Sequence, residues 1–220
     1  MVTDATLRFL TRLRHHNNRP WFGEHKSDYL AAKAEMATLT EAVEARLNET
    51  DVIAKSHVYR IYRDVRFSKD KTPYKDHLDA YLYRAGAERR GGYVFRVGPG
   101  VSQVGGGFFG PNQEDLLRIR KELEFDSQPI EEITQHLDFV KYFGPLQGEE
   151  VKTAPQGFSR DHPNIAWIRK KQFYALRTFA DAEVTQADFA DHIVTTFQAL
   201  RPFFDYMSAV LTTNADGEVV

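Results

Sequence analysis

The sequence predicts an α+β fold, in which an antiparallel β-meander of about four or more strands is flanked by N-terminal and C-terminal helices. Apolar residues recur at helical spacing before residue 50, at alternate positions between residues 57 and 108, and at helical spacing again after residue 112. The strand-like stretches are joined by short connections, which favour antiparallel pairing over parallel βαβ units. Because the sequence has no repeat, low-complexity segment or evident linker, we expect one domain over residues 1–212 and a flexible tail over residues 213–220.

The composition is that of an ordinary globular domain. Of the 220 residues, 42% are hydrophobic and 27% are charged, and the 16 Phe, 10 Tyr and two Trp predict a core built largely from aromatic rings. The absence of cysteine excludes disulfides, thiolate metal sites and a cysteine nucleophile.

No targeting or membrane segment is evident in the sequence. The N-terminus lacks a basic region followed by an apolar run, and no stretch approaches the ~20 apolar residues of a transmembrane helix. We therefore expect a cytoplasmic protein without a membrane partner. With a sequence pI near 6.5, any contact with nucleic acid would have to be local.

Two helices are predicted at the N-terminus. The first covers residues 3–15, where leucines recur at helical spacing. The Asn-Asn pair at 17–18 favours a turn, because asparagine side chains bond the nearby backbone. Pro20 suits the first turn of a second helix, which should run to about residue 48.

Four strands are predicted next, because apolar and polar residues alternate. They cover residues 57–67, 77–84, 93–97 and 101–109.

The C-terminal half returns to helical spacing, with one long irregular loop at 144–164 that holds three Gly and three Pro. A loop of this length is uncommon unless it is functional. Helices are predicted over residues 113–123, 127–143, 165–171 and 185–200, with a kink or restart at Pro202.

Positive charge is concentrated in residues 57–75. The whole chain has a formal charge of −2, whereas this segment carries six Lys or Arg against two Asp, a balance of +4, so the remainder is −6. Focused positive charge attracts anions. The six cations are Arg60, Arg63, Arg66, Lys69, Lys71 and Lys75.

Strand periodicity would place Arg60, Tyr62, Asp64 and Arg66 on one face of the strand. Arg63 would then lie among apolar residues on the other face, unless a β-bulge turns its side chain to the face of Arg60 and Arg66. One hypothesis is that Arg60, Arg63, Arg66 and Lys71 converge on a phosphate or carboxylate ligand. The alternative is that they pair with Asp64, Asp70, Asp76 and Asp79 and only organise the sheet.

Several other residues could take part in such a site. Asp64, Asp70 and His25 are the candidate acid–base groups, and Tyr74 offers a phenol. Lys26, directly after His25, and Trp21, four residues before it, complete the candidate ligand-binding set. The simpler interpretations are an Asx-type turn for Asp70 and a packed, hydrogen-bonded His25.

Metal and cofactor sites are not predicted. The eight His show no HExxH and no paired His at i, i+4. Gly98-Pro99-Gly100 and Gly105 to Gly107 form neither a GxGxxG motif nor a P-loop. Gly105 to Gly107 would suit either a close approach of two backbones or a ligand passing over bare backbone.

Arginine and aromatic residues alternate between Tyr59 and Phe67, which also fits single-stranded nucleic acid, since bases stack on rings and phosphates pair with Arg. The acidic remainder of the chain and the lack of an RNP motif weaken this third hypothesis.

Blocks of residues across nearly the whole chain resemble a known family pattern. They are Asn17, Asn18, Trp21, Phe22, His25, Lys26 and Tyr29; the unbroken run from Arg60 to Lys75; Gly105 to Phe108 with Pro111; Arg120; Pro155, Gly157, Phe158, His162 and Pro163; and Lys171. The chain resembles the bacterial, fungal and plant family catalogued as domain of unknown function 2461. The resemblance implies a single domain and supplies no reaction.

Overall fold

A computed structural model describes residues 1–213, which hold ten helices and five strands. The α+β class is confirmed, with helices before and after the sheet. Apart from Thr213, the predicted C-terminal tail lies outside the described residues.

The N-terminal helices are α1 (Asp4–His15), α2 (Arg19–Glu24) and α3 (Lys26–Leu47). The first agrees with the prediction. The predicted second helix is divided at His25, whose backbone leaves helical geometry at φ −109° and ψ 22°. Asn18 caps α2 by accepting a hydrogen bond from the backbone N–H of Trp21 at 3.0 Å. The Asn-Asn turn therefore starts a short helix that is separate from α3.

The sheet contains β1 (Ile53–Val58), β2 (Leu78–Arg84), β3 (Gly92–Val97), β4 (Ser102–Phe108) and β5 (Phe173–Phe179). The strands lie in chain order, so the antiparallel meander is confirmed, and β2, β3 and β4 fall within two residues of their predicted ends. β5 was not predicted from the sequence, although Phe173, Ala175 and Phe179 are buried at alternating positions.

The prediction of a strand over residues 57–67 is wrong. β1 ends at Val58, and only one isolated bridge, between Tyr62 and Tyr74, follows before β2. Asp64 accepts hydrogen bonds from the backbone and side chain of Arg66, and such local side-chain bonds compete with a strand ladder. Phe67, expected on the core side, is 96% exposed.

The remaining helices are α4 (Gln113–Phe125), α5 (Gln128–Gln135), α6 (Leu137–Phe143), α7 (Ile165–Ile168), α8 (Asp181–Val184), α9 (Phe189–Ala199) and α10 (Arg201–Thr212). The predicted helix over 127–143 is broken at His136, and the one expected from residue 185 begins four residues later. A new helix, α10, begins beside Pro202, where the sequence predicted a kink or restart. Residues 144–164 form no helix or strand.

The chain separates into two compact units. One comprises Met1–Tyr83, Val94–Val104 and Thr178–Thr195; the other comprises Arg84–Tyr93, Gly105–Arg177 and the chain from Thr196 onward. The expectation of a single domain over residues 1–212 stays a prediction.

Each unit has its own core. In the first, α3 packs against α1 and β1, and Leu10, Leu13 and Val43 are fully buried. In the second, the ring of Tyr93 lies 4.7 Å from that of Phe197. The predicted ring-rich core is confirmed: Phe and Tyr make up most of the largest fully buried side chains.

No helix within residues 1–213 has the length and apolar character needed to cross a membrane.

Candidate functional site

A polar cavity of about 420 Å³ opens in the first unit, beside the irregular segment that follows β1. We call it the polar cavity. Its lining residues are Arg14, Asn17, Arg63, Asp70, Thr72, Tyr74, Lys75, Asp76 and His77.

The backbone around the polar cavity is a narrow hairpin-like excursion. Arg63 donates its backbone N–H to Pro73, and Lys75 donates to Ile61, at 2.9 and 2.8 Å. Asn17 holds the returning arm, because its side chain donates to the carbonyl of Tyr74 at 2.9 Å and accepts from its N–H at 3.1 Å. The Asn-Asn turn of the sequence therefore has two roles, a helix cap and a clamp on the cavity wall.

Arg63 is the one arginine of the predicted ligand set that lines the polar cavity. Its Nη1 donates to the Asp70 carboxylate and to the Thr72 hydroxyl. A guanidinium carries five N–H donors. Nε and Nη2 of Arg63 make no hydrogen bond within residues 1–213, and the side chain is 27% exposed. Arg63 is thus fixed by one edge with its other donors free.

Asp70 anchors Arg63. The backbone N–H and hydroxyl of Thr72 also donate to it, at 2.9 and 2.8 Å. The Thr72 N–H, followed by the Arg63 guanidinium, lowers the pKa of Asp70 to about 2. Asp70 is therefore a permanently charged anchor at neutral pH, which argues against its role as a general base.

Three other lining residues of the polar cavity, Arg14, Asp76 and His77, are linked to one another. Nε of Arg14 donates to Asp76 Oδ2 at 2.6 Å, and Asp76 Oδ1 lies 2.9 Å from Nδ1 of His77. Burial opposes ionisation of Asp76, but the hydrogen bonds from His77 and Arg14 outweigh it, so the pKa of Asp76 lies below its ordinary value. Nε2 of His77 lies 3.5 Å from Asp79.

The buried Asp79 carboxylate contacts two lining residues, His77 and Lys75, and it binds two cations. Its Oδ2 accepts from Nζ of Lys75 at 2.9 Å, and its Oδ1 accepts from Nε of Arg96 at 2.8 Å. Burial alone would raise the pKa of Asp79, but the hydrogen bonds from His77, Lys75 and Arg96 hold it well below its usual range. Lys75 thus lines the polar cavity while its ammonium donates to Asp79, which is not a lining residue.

Other predicted ligand residues lie outside the polar cavity, so the four cations do not converge. Arg66 pairs with Asp64 at 2.6 Å on an exposed loop, with the Arg66 side chain 76% exposed. Lys71 donates to the carbonyl of Val65 at 2.9 Å. Arg60 is exposed and makes no hydrogen bond or ion pair with the residues that the structure describes.

His25 and Trp21 form a separate cluster where α2 meets α3. Their rings stack with centroids 3.9 Å apart, and Nδ1 of His25 lies 2.8 Å from the Trp21 carbonyl. A guanidinium can only donate, so the 2.6 Å contact from Arg12 makes Nε2 of His25 an acceptor. Lys26 is exposed at the start of α3. Both nitrogens of His25 are engaged, which favours the packed, hydrogen-bonded interpretation.

Sequence reasoning placed Arg63, Asp70 and Tyr74 near a site but missed Arg14, Asn17 and His77. Arg14 and Asp76 are 62 residues apart, so no local pattern could pair them. His77 had a usable signal, because it stands between Asp76 and Asp79 directly after the basic segment. Tyr74 forms part of the wall: its ring stacks on Phe22 at 3.9 Å, and burial raises its pKa.

Within residues 1–213, no group of three His, Asp or Glu side chains is arranged to hold a metal ion. The groups that the polar cavity offers are guanidinium, ammonium, imidazole and carboxylate. Such a set can bind a small charged molecule and exchange a proton with it.

One family model matches residues 5–206, and its description is conserved hypothetical protein (DUF2461). No curated protein and no solved structure matches the chain.

Proposed function

Because the chain belongs to the conserved hypothetical protein family DUF2461, whose description names no activity, we propose a function from its own site: the protein binds a small phosphate- or carboxylate-bearing ligand in the polar cavity. The observation that carries this proposal is the state of Arg63. One edge of its guanidinium is anchored by Asp70 and Thr72, and its Nε and Nη2 have no partner within residues 1–213.

A fixed guanidinium with free donors suits an anion, because a phosphate or carboxylate can accept two parallel hydrogen bonds from it. Anchoring also lowers the conformational entropy lost on binding. Arg14 and Lys75 add positive charge on the same cavity, and each is held by an internal carboxylate, at 2.6 Å for Arg14 and 2.9 Å for Lys75.

A second candidate is a non-enzymatic scaffold in which this network only stabilises the first unit. The observation that favours it is that Arg14, Arg63 and Lys75 each already pair with a carboxylate. The two candidates differ in one expectation, since only the first predicts that an added anion binds to Arg63 and stabilises the folded protein.

The test is a thermal-shift and calorimetric titration with inorganic phosphate and with citrate. A ligand that binds only the folded state stabilises it by about 2.7 kcal/mol at a concentration about 100 times Kd. We expect this stabilisation in the natural protein and its loss in Arg63→Gln.

Arg66→Gln is the matched control. Arg66 belongs to the same loop and also pairs with an aspartate, but it does not line the polar cavity. It should keep the response to phosphate. Equal loss in both variants would indicate general charge attraction, and no response in the natural protein would leave the scaffold as the better account.

A further inference from the structure

A second group of charged and aromatic side chains lies on one face of β2 and β3. Along β2, Leu78, Ala80 and Leu82 are buried in the core, so the alternating residues Asp79, Tyr81 and Tyr83 project from the opposite face. Arg96 of β3 reaches Asp79 and therefore shares that face. Tyr59 continues the group, since its backbone N–H donates to the carbonyl of Asp79 at 2.9 Å. We call these five residues the tyrosine face.

Arg96 is the anchored cation of the tyrosine face. Its Nε donates to Asp79 at 2.8 Å, whereas Nη1 and Nη2 make no hydrogen bond within the described part of the chain. The side chain is 38% exposed. Because the two terminal nitrogens form an edge that can bind a carboxylate or phosphate bidentately, Arg96 presents a positioned anion-binding edge.

The charge around Asp79 favours an added anion. One carboxylate is shared between Arg96 and Lys75, both within 2.9 Å of it. These two cations exceed the one anion, and Lys55 adds a third cation, whose ammonium lies 4.6 Å from the centre of the Tyr83 ring. A ligand that carries negative charge would reduce this excess.

The three tyrosines supply flat apolar surface beside that charge. The rings of Tyr81 and Tyr83 lie 4.5 Å apart, and the hydroxyls of Tyr59 and Tyr83 lie 3.3 Å apart. Each ring is half-buried. Tyrosine rings stack against planar groups, and each such stack adds measurable affinity.

We propose that the tyrosine face is a second binding site, which takes a small anion carried on a flat ring. The terminal nitrogens of Arg96 hold the carboxylate or phosphate, and the ring packs on the tyrosines. This site goes beyond the polar cavity, because neither Arg96 nor any of the three tyrosines lines that cavity.

Benzoate is the probe, with acetate as the same anion without the ring, and binding is measured by calorimetry. We expect benzoate to bind at least about tenfold more tightly than acetate, as one aromatic stack would provide. Arg96→Lys keeps a cation beside Asp79 but removes the bidentate edge, and it should weaken benzoate binding about tenfold. Tyr81→Leu should reduce benzoate affinity to about that of acetate.

Because a carboxylate can also bind at Arg63 in the polar cavity, the benzoate and acetate titrations are repeated in Arg63→Gln, where the tenfold preference for benzoate should persist. Equal binding of benzoate and acetate would overturn the proposal. So would the absence of benzoate binding to the natural protein, or benzoate binding that is lost in Arg63→Gln and kept in Arg96→Lys. Thermal denaturation of each variant checks that the variant is folded, so that the affinities of folded proteins are compared.

Discussion

The carboxylate of Asp79 on β2 lies 2.8 Å from Nε of Arg96 on β3, and the same buried group also holds Lys75. We expect Asp79→Asn to lower the free energy of unfolding by about 3 kcal/mol, because it leaves two cations without their shared carboxylate. This figure is at the low end for buried pairs, since Arg96 remains 38% exposed. Urea denaturation measures the change.

Asp188→Asn is the control for this substitution. Asp188 is exposed and lies 3.5 Å from His192, a surface pair of the kind that contributes little. It should cost less than about 1 kcal/mol. If the two variants lose equal stability, the buried Asp79 is not the centre of the network.

Stability should also depend on acid through Asp79. A carboxyl whose pKa is lowered on folding stabilises the protein above its unfolded pKa, about 3.9 for Asp, and that contribution is lost as the pH falls towards the folded pKa. Each pH unit in that range changes the free energy of unfolding by about 1.4 kcal/mol per such group. We therefore expect the loss to set in below about pH 4 and to be shallower in Asp79→Asn. Urea denaturation at several pH values in this range measures the free energy of unfolding. If it falls equally steeply with pH in the natural protein and in Asp79→Asn, Asp79 is not the group responsible.

The Tyr59 phenol should lose its proton at a higher pH than an ordinary tyrosine. The hydrogen bond with the Tyr83 hydroxyl, followed by burial, raises the pKa of Tyr59 to about 12. Because the folded pKa is raised, its contribution to stability is complete below about pH 10 and is lost as the pH rises through 12. Tyr83→Phe removes the hydrogen bond and should lower the pKa of Tyr59, which the ultraviolet absorbance of tyrosinate reports.

Tyr62→Phe is the matched control for that titration. Tyr62 packs on Phe22 and Tyr74 instead, with ring centres 5.8 and 5.2 Å away. This substitution should remove one tyrosine from the total absorbance change and leave the transition of Tyr59 near pH 12 unchanged. Loss of that transition in this variant would mean that Tyr59 had been misassigned.

Local pattern and tertiary contact explain what the sequence could and could not predict. The helix at Asp4–His15 and the strands β2, β3 and β4 follow from periodicity, because their buried faces repeat at the spacing of the element. The conformation of the segment between Tyr59 and His77 does not follow from periodicity. It depends on side-chain hydrogen bonds such as those from Arg63 to Asp70 and from Asn17 to the Tyr74 carbonyl. The second of these spans 57 residues.

The same distinction applies to the candidate sites. A charge count located the basic segment and hence Arg63, Asp70 and Tyr74. It could not show that Arg66 is occupied by Asp64 two residues away, because alternation had placed both on one face of a strand that does not form. Arg96 carried no signal at all, since its partner Asp79 lies 17 residues earlier in the chain.

The glycine run in β4 gives the last prediction. A Cβ on Gly105 would overlap the carbonyl oxygen of Ala175 in β5, so Gly105 allows the two backbones to approach closely. Of the two sequence interpretations, this favours close backbone approach. We expect Gly105→Ala to lower the free energy of unfolding by about 2–3 kcal/mol, as overpacking does. Gly110→Ala, where a Cβ would meet nothing within 4 Å, is the control and should stay within about 0.5 kcal/mol of the natural protein. Thermal and urea denaturation measure both variants, and a Gly105→Ala protein as stable as the control would show that β4 and β5 can separate at this point without loss.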